Sequence, residues 1–178
     1  DPDIIMIGEI RDSETASIAV QASITGHLVV STIHTNNATG TLDRMVDMGV
    51  ELYILADSVV GVIAQRLVRK LCPHCRRKRL ATPEEKRLMY FSEEETVEIY
   101  EPGGCKLCND TGYYGRKGIF EIMEMNEELR RLIAEGSDTK NLIRAAKRTG
   151  MRTLRENGIR DVLAGITSIE ELLKASYE

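Results

Sequence analysis

The chain has four cysteines and no others, and they fall in two pairs: Cys72-Pro73-His74-Cys75 and Cys105-Lys106-Leu107-Cys108. A Cys-x-x-Cys turn presents two thiolates from one tight loop, and two such turns meet the demand of Zn2+ for four soft ligands in a tetrahedron. No position is left for water, so a metal held this way is structural rather than catalytic. In a chain with no visible export signal, this spacing reads as a metal site in preference to a disulfide frame. The alternative is four reduced cysteines packed in a core without metal. The stretch between Cys75 and Cys105 is longer than in compact zinc ribbons, so residues 70–118 are expected to bulge out as a zinc-binding lobe. Arg76, Arg77, Lys78 and Arg79 are expected to offset the charge of four thiolates around Zn2+.

What surrounds this lobe has the composition of a packed protein. Hydrophobic residues make up 42% and the net charge is −4, which excludes general disorder and gives no bulk attraction to nucleic acid. The basic stretch from Arg66 to Arg79 holds no acid, but no aromatics are interleaved to stack on bases, so a solvated face beside the metal is the expected state. The longest stretch free of charged residues, Thr15 to Leu42, is broken by Gln21, Gly26, His27, His34, Asn36 and Asn37, too often to cross a bilayer. The opening Asp1-Pro2-Asp3 lacks the basic start of a signal peptide and an initiator Met, and the chain is therefore expected to be a fragment of something longer.

Hydrophobic patterning predicts an α/β start. Ile4-Ile5-Met6-Ile7, ending at Gly8-Glu9, reads as a strand buried on both faces. Asp12 and Ser13 are N-cap residues for a helix that ends before Gly26, and Leu28–Ile33 reads as a second buried strand leading to His34. Residues 3–33 thus form one strand–helix–strand unit of a parallel sheet. Helices are expected over 38–48 and 51–69, and another opens at Thr82-Pro83-Glu84-Glu85, with Thr as N-cap and Pro at the first helical position. An acidic segment follows at 92–101, then a strand at Ile119–Met123 and helices at 127–135, 139–149, about 153–164 and 168–176. Three regions result: 1–69, 70–118 and 119–178.

Glu9 and His34 each stand at the carboxyl end of a strand, where open α/β sheets bind ligands, and a single helix joins the two strands. They are expected side by side at one edge of the sheet. An acid there activates a water or serves as a cap or ion-pair partner, and a histidine contacts an oxyanion.

Three longer stretches carry a resemblance. Asp1-Pro2-Asp3-Ile4-Ile5-Met6-Ile7-Gly8-Glu9-Ile10-Arg11-Asp12, followed by Glu14-Thr15-Ala16, resembles the Walker B segment of the secretion ATPase superfamily of type II secretion and type IV pilus assembly. Thr25–Asn36 is similar to that family's His box, and Ala64–Cys72 to its next signature. The knuckles, with Gly112–Gly118 after the second, resemble the zinc-bearing assembly and export branch. The resemblance implies a truncated RecA-like parallel sheet with a tetracysteine zinc lobe and a helical C-terminal region. It further implies a cytoplasmic homo-hexameric motor, peripheral to the inner membrane, that uses ATP and Mg2+ to move pilin or pseudopilin subunits. In that reading Glu9 is the acid that polarises the attacking water, His34 approaches the γ-phosphate, and Arg11 with Asp12 links the site to neighbouring elements. His27, which precedes its strand, is the lesser histidine candidate. The zinc lobe is expected to dock on an inner-membrane platform protein or a neighbouring subunit. The chain departs from the family in holding no Gly-x-x-x-x-Gly-Lys-[Ser/Thr] loop, the element that cradles the phosphates. This portion by itself is therefore expected to be inactive. Two other readings compete with it: a zinc-lobed, non-catalytic adaptor on secretion components, and a zinc-ribbon nucleic-acid binder.

Overall fold

A computed structural model describes residues 2–176; Asp1 of the Walker B-like segment and the last two residues of the third region lie outside them. Strands β1 (Ile4–Ile7) and β2 (Leu28–Ser31) pair in parallel, Ile4 opposite Leu28 and Ile7 opposite Ser31, joined through α1 (Ser13–Ile24). Asp12 caps α1 by accepting the Thr15 N–H at 2.8 Å, and this hydrogen bond holds its carboxyl below the ordinary value. At the other end Gly26, at φ +101°, lets its own N–H reach Ser23 O and that of His27 reach Ala22 O. The expectation that β1 and β2 are buried on both faces is corrected. Ile4, Met6, Leu28 and Val30 are exposed, because the sheet has two strands among the described residues and α1 packs from one side.

Helices α2 (Ala38–Asp47) and α3 (Leu52–Ser58) follow, and here the sequence reading is corrected again. The expected helix over 51–69 stops at Ser58, and Gly61–Leu71 is a strand, β3. Val59 is already extended (φ −80°, ψ 129°), and the β-branched run Val59, Val60, Val62 and Ile63 favours a pleated backbone. The buried positions of β3, Ala64, Val68 and Leu71, keep a spacing that also suits a helix, which is why the two readings compete. β3 pairs with β6 (Tyr113–Glu124), longer than the strand expected at 119–123. Hydrogen bonds from Met125 N to Val60 O and from Cys72 N to Gly112 O at its two ends make the pair antiparallel.

Strand β4 (Arg77–Leu80) and strand β5 (Glu98–Glu101) pair antiparallel, with α4 (Pro83–Leu88) between them behind the predicted N-cap Thr82, which forms a capping box with Glu85. The basic run thus lies against the acidic one. Lys78 meets Glu98 at 2.6 Å, and Arg79 meets Glu85 at 2.6 Å and Glu101 at 3.0 Å. Those acids, rather than the thiolates, take up the charge of Lys78 and Arg79. Arg76 lies over the Tyr100 ring and donates to Gly165 O. Helices α5 (Glu127–Ala134), α6 (Thr139–Arg148), α7 (Leu154–Leu163) and α8 (Ile169–Ala175) complete the chain close to their predicted bounds. Among the described residues no helix is long and apolar enough to cross a membrane.

The compact units interleave the sequence. One comprises residues up to Ala64 with Glu121–Arg152; the other comprises Gln65–Phe120 with the residues from Thr153 onward. In the first, α3 packs on α5 and α5 on α6 over Leu55, Ala56, Leu129 and Ile133, and Arg130 donates to the carbonyls of Ala56 and Asp57 near the C-terminus of α3. In the second, α7 and α8 pack on each other around Val162 and Leu172, and Gly158 leaves room for the Leu172 and Ile119 methyls. Both units are discontinuous because β3 and β6 each run from one into the other, whereas the expected regions were cut at single points along the chain.

Candidate functional site

In the first unit, two hydrogen bonds continue the β1–β2 register past the strand ends. Thr32 Oγ1 donates to Gly8 O at 2.7 Å, and Ile10 N donates to Thr32 O at 2.8 Å. Ile10 is turned into the core, so its neighbour Glu9 projects outward beside His34. The Glu9 Oε2 atom lies 3.5 Å from His34 Nε2 and 2.5 Å from Arg11 Nε. The three residues named from sequence, Glu9, Arg11 and His34, therefore share one carboxylate oxygen. Arg11 reaches Glu9 itself, while Asp12 serves α1 as its cap. Glu9 is about one-third exposed and the His34 ring is 87% exposed, so the pair is open to solvent. Thr35, next in the chain, borders an open hollow of about 350 Å3 lined also by Asn36, Asn37, Asp43, Arg44 and Asp47. His27 is occupied elsewhere, its Nδ1 near Thr25 Oγ1 and Ala22 O at the end of α1.

In the second unit the two knuckles converge as their spacing predicts. All four Sγ atoms lie within 4.8 Å of one another. Cys72–Cys105, Cys75–Cys108 and Cys105–Cys108 are 3.9, 3.8 and 3.7 Å apart. A tetrahedron with Zn–S bonds of ~2.3 Å has edges of ~3.8 Å, so this donor set fits Zn2+. The backbone supports the sulfurs, with Cys105 N and Gly112 N donating to Cys108 Sγ at 3.4 and 3.3 Å. Burial first, then the neighbouring sulfurs, pushes the Cys75 thiol up to about 12. Burial also opposes ionisation of Cys108, but the two N–H donors win and bring it down to about 7. A metal bound by all four sulfurs would have no position left for water or substrate.

Two buried acids escaped the sequence reading. Glu121 on β6 accepts the Ala38 N–H at 2.8 Å, and Glu171 on α8 binds Arg69. The signal for Glu121 lay in the strand alternation, which turns Ile119, Glu121 and Met123 to the same buried side. An acid in that row needs a partner.

The family described as "Type II/IV secretion system protein" matches residues 1–174. The whole chain is 50% identical to the type II secretion system protein HxcR of Pseudomonas aeruginosa and covers 34% of it. It is 45% identical to the type IV pilus assembly ATPase PilB of Thermus thermophilus and covers 20% of it. It is 48% identical to type II secretion system protein E of Aeromonas hydrophila and covers 35% of that protein. The chain thus spans about a third or less of these relatives. Among solved structures, the ATPase DotB of Legionella pneumophila aligns over 96% of this chain and 37% of its own, at a TM-score of 0.61 and 21% identity, a likeness of fold.

Proposed function

The chain belongs to the family of type II/IV secretion system proteins, and from that premise we propose that it is the rear portion of a hexameric motor ATPase that drives pilus or pseudopilus assembly. The observation that carries this reading is the Glu9–His34 pair at the carboxyl ends of two parallel strands. When bound by the complete protein, ATP with Mg2+ supplies the phosphoanhydride bond whose cleavage drives movement. Glu9 Oε2 orients the attacking water and takes its proton. His34 Nε2, solvent-open and within reach of Glu9, contacts a phosphate oxygen and reports its presence to the turn that follows. Arg11, bonded to the same oxygen, holds the Glu9 side chain in one rotamer.

The tetracysteine site holds structural Zn2+ and stiffens the lobe between Cys72 and Cys108. Its outer surface serves docking on an inner-membrane platform protein or a neighbouring subunit, on the cytoplasmic side. Without a phosphate-binding loop of its own, the 178-residue chain by itself neither binds nucleotide tightly nor hydrolyses it.

The test is Glu9→Gln in the full-length protein, assayed for both turnover and ATP binding. Turnover is expected to fall by about a hundredfold or more with binding retained. Undiminished hydrolysis would remove Glu9 from the mechanism.

A further inference from the structure

His34 is followed by a three-residue turn and then by α2, so its position depends on how firmly the first turn of α2 is held. Three bonds within the turn and the first turns of α2 are local. The hydroxyls of Thr35 and Thr41 lie 2.9 Å apart, and Thr35 Oγ1 donates to Asn37 O at 3.2 Å. Asn37 Oδ1 accepts from Gly40 N at 2.8 Å as the N-cap. These bonds tie the turn to the helix that follows it.

The Ala38 N–H makes a bond of another kind, to a distant part of the chain. It is the first of the four amide donors that a helix start leaves without an intrahelical acceptor, and Ala38 is fully buried. Its acceptor comes from 83 residues away: Glu121 Oε1, at 2.8 Å. Glu121 is 4% exposed and sits on β6, where Ile119 and Met123 are also buried. A leucine or methionine at this position would satisfy packing alone, whereas a buried carboxyl is tolerated only with polar partners. The start of α2, with its partial positive charge, is a suitable partner.

We infer that Glu121 is a positioning residue for His34. It clamps the start of α2 to β6 and so fixes the turn that carries the histidine beside Glu9. This rests on the ATPase reading of that pair.

The experiment uses the full-length protein and three variants. E121L removes the acceptor; E121D keeps the charge but draws it back by one methylene; E121Q keeps an acceptor oxygen at the same reach. ATP turnover and KM, thermal midpoint and zinc content are measured for each. In E121L and E121D, kcat is expected to fall about tenfold or more while KM for ATP stays within about twofold, the mark of a mispositioned reacting group. E121Q is expected to recover kcat to within about threefold of the parent, because its amide oxygen still accepts the Ala38 N–H. If E121L fails to fold, E121D carries the test. Turnover within about threefold of the parent in both E121L and E121D overturns the inference. So does a loss that follows the thermal midpoint and is not recovered by E121Q, since that assigns Glu121 to stability alone. Glu9→Gln is run alongside: normal hydrolysis there sinks the catalytic pair itself, whereas an inactive Glu9→Gln beside unaffected E121L and E121D sinks only the role of Glu121.

Discussion

Arg69 on β3 and Glu171 on α8 stand 102 residues apart in the chain, and Arg69 Nη2 lies 2.7 Å from Glu171 Oε1. The Arg69 backbone N–H donates to the other carboxylate oxygen at 3.2 Å, Thr167 Oγ1 donates to Arg69 O at 2.8 Å, and the guanidinium lies 4.0 Å from the centre of the Tyr113 ring. The guanidinium first, then the backbone N–H, holds the Glu171 carboxyl down to about 2, against the cost of its burial. A carboxyl depressed in the folded state adds stability that is complete above its unfolded value of about 4.5 and is lost as pH falls toward 2. Glu171→Gln should therefore cost on the order of 2–3 kcal/mol at neutral pH, the lower figure allowing for solvent around the half-exposed Arg69. Urea midpoints of parent and variant should differ by a constant amount above about pH 5.5 and converge between pH 4.5 and 2. A gap unchanged at pH 2.5 would mean that the pair does not hold α8.

The metal prediction follows from the sulfur geometry. Protein purified without chelator should carry one equivalent of zinc per chain, read by elemental analysis. Stripping it should raise amide exchange at Cys105 and Gly112, whose N–H groups point at Cys108 Sγ, far more than in α5 or α6. Zinc-free protein with the same protection would reduce the cluster to four packed thiols.

The legibility of these features in the sequence depended on how local their causes were. Each Cys-x-x-Cys turn and the N-caps at Thr82 and Asp12 depend on residues three apart, and the structure has them where spacing put them. The Glu9–His34 pairing was also legible, because one short helix between two parallel strands dictates which strand ends are adjacent. The strand at Gly61–Leu71 was not, because its identity comes from pairing with β6, some 50 residues on, while its buried residues keep a helical spacing. Nor could Arg69 or Arg79 be assigned partners, since a run of basic residues looks the same whether water or a distant carboxylate faces it.

Backbone crowding at the second knuckle separates two adjacent glycines. A Cβ on Gly103 would lie 2.0 Å from Cys75 O, a clash with main chain that cannot swing aside. A Cβ on Gly104 would meet Asp110 at 3.4 Å or more, an ordinary contact. Gly103→Ala should therefore push the Cys72–Cys75 turn away from Cys105 and weaken zinc retention about tenfold or more in a chelator competition, within the range seen when support around metal ligands is lost. Gly104→Ala should bind as the parent does. Equal affinity for all three proteins would show that the two knuckles are not held by this approach.

The charge-paired hairpin of β4 and β5 gives the last prediction, because its two cations sit in different surroundings. Lys78 and Glu98 are both half-exposed, and an exposed pair of this kind contributes about 1 kcal/mol or less, shrinking with salt. Arg79 is one-third exposed and holds Glu85 through two parallel hydrogen bonds of 2.7 and 2.6 Å, while Glu85 also caps α4 through Thr82 N. Removing Arg79 leaves a largely buried carboxylate without its cation. Arg79→Ala should thus cost about 2 kcal/mol and Lys78→Ala under about 1 kcal/mol, measured as shifts in the urea midpoint. The Lys78 difference should vanish in 0.5 M salt, roughly five times the ionic strength at which the screening length is ~10 Å, and most of the Arg79 difference should persist. The same pairing bears on the nucleic-acid reading. Lys78 and Arg79 already face carboxylates and Arg76 faces Tyr100 and Gly165, so single-stranded DNA should show no salt-dependent binding to the lobe. A clear salt-dependent shift would mean that these ion pairs open for a phosphate backbone, and the hairpin would then be a binding surface and not a closed charge ladder.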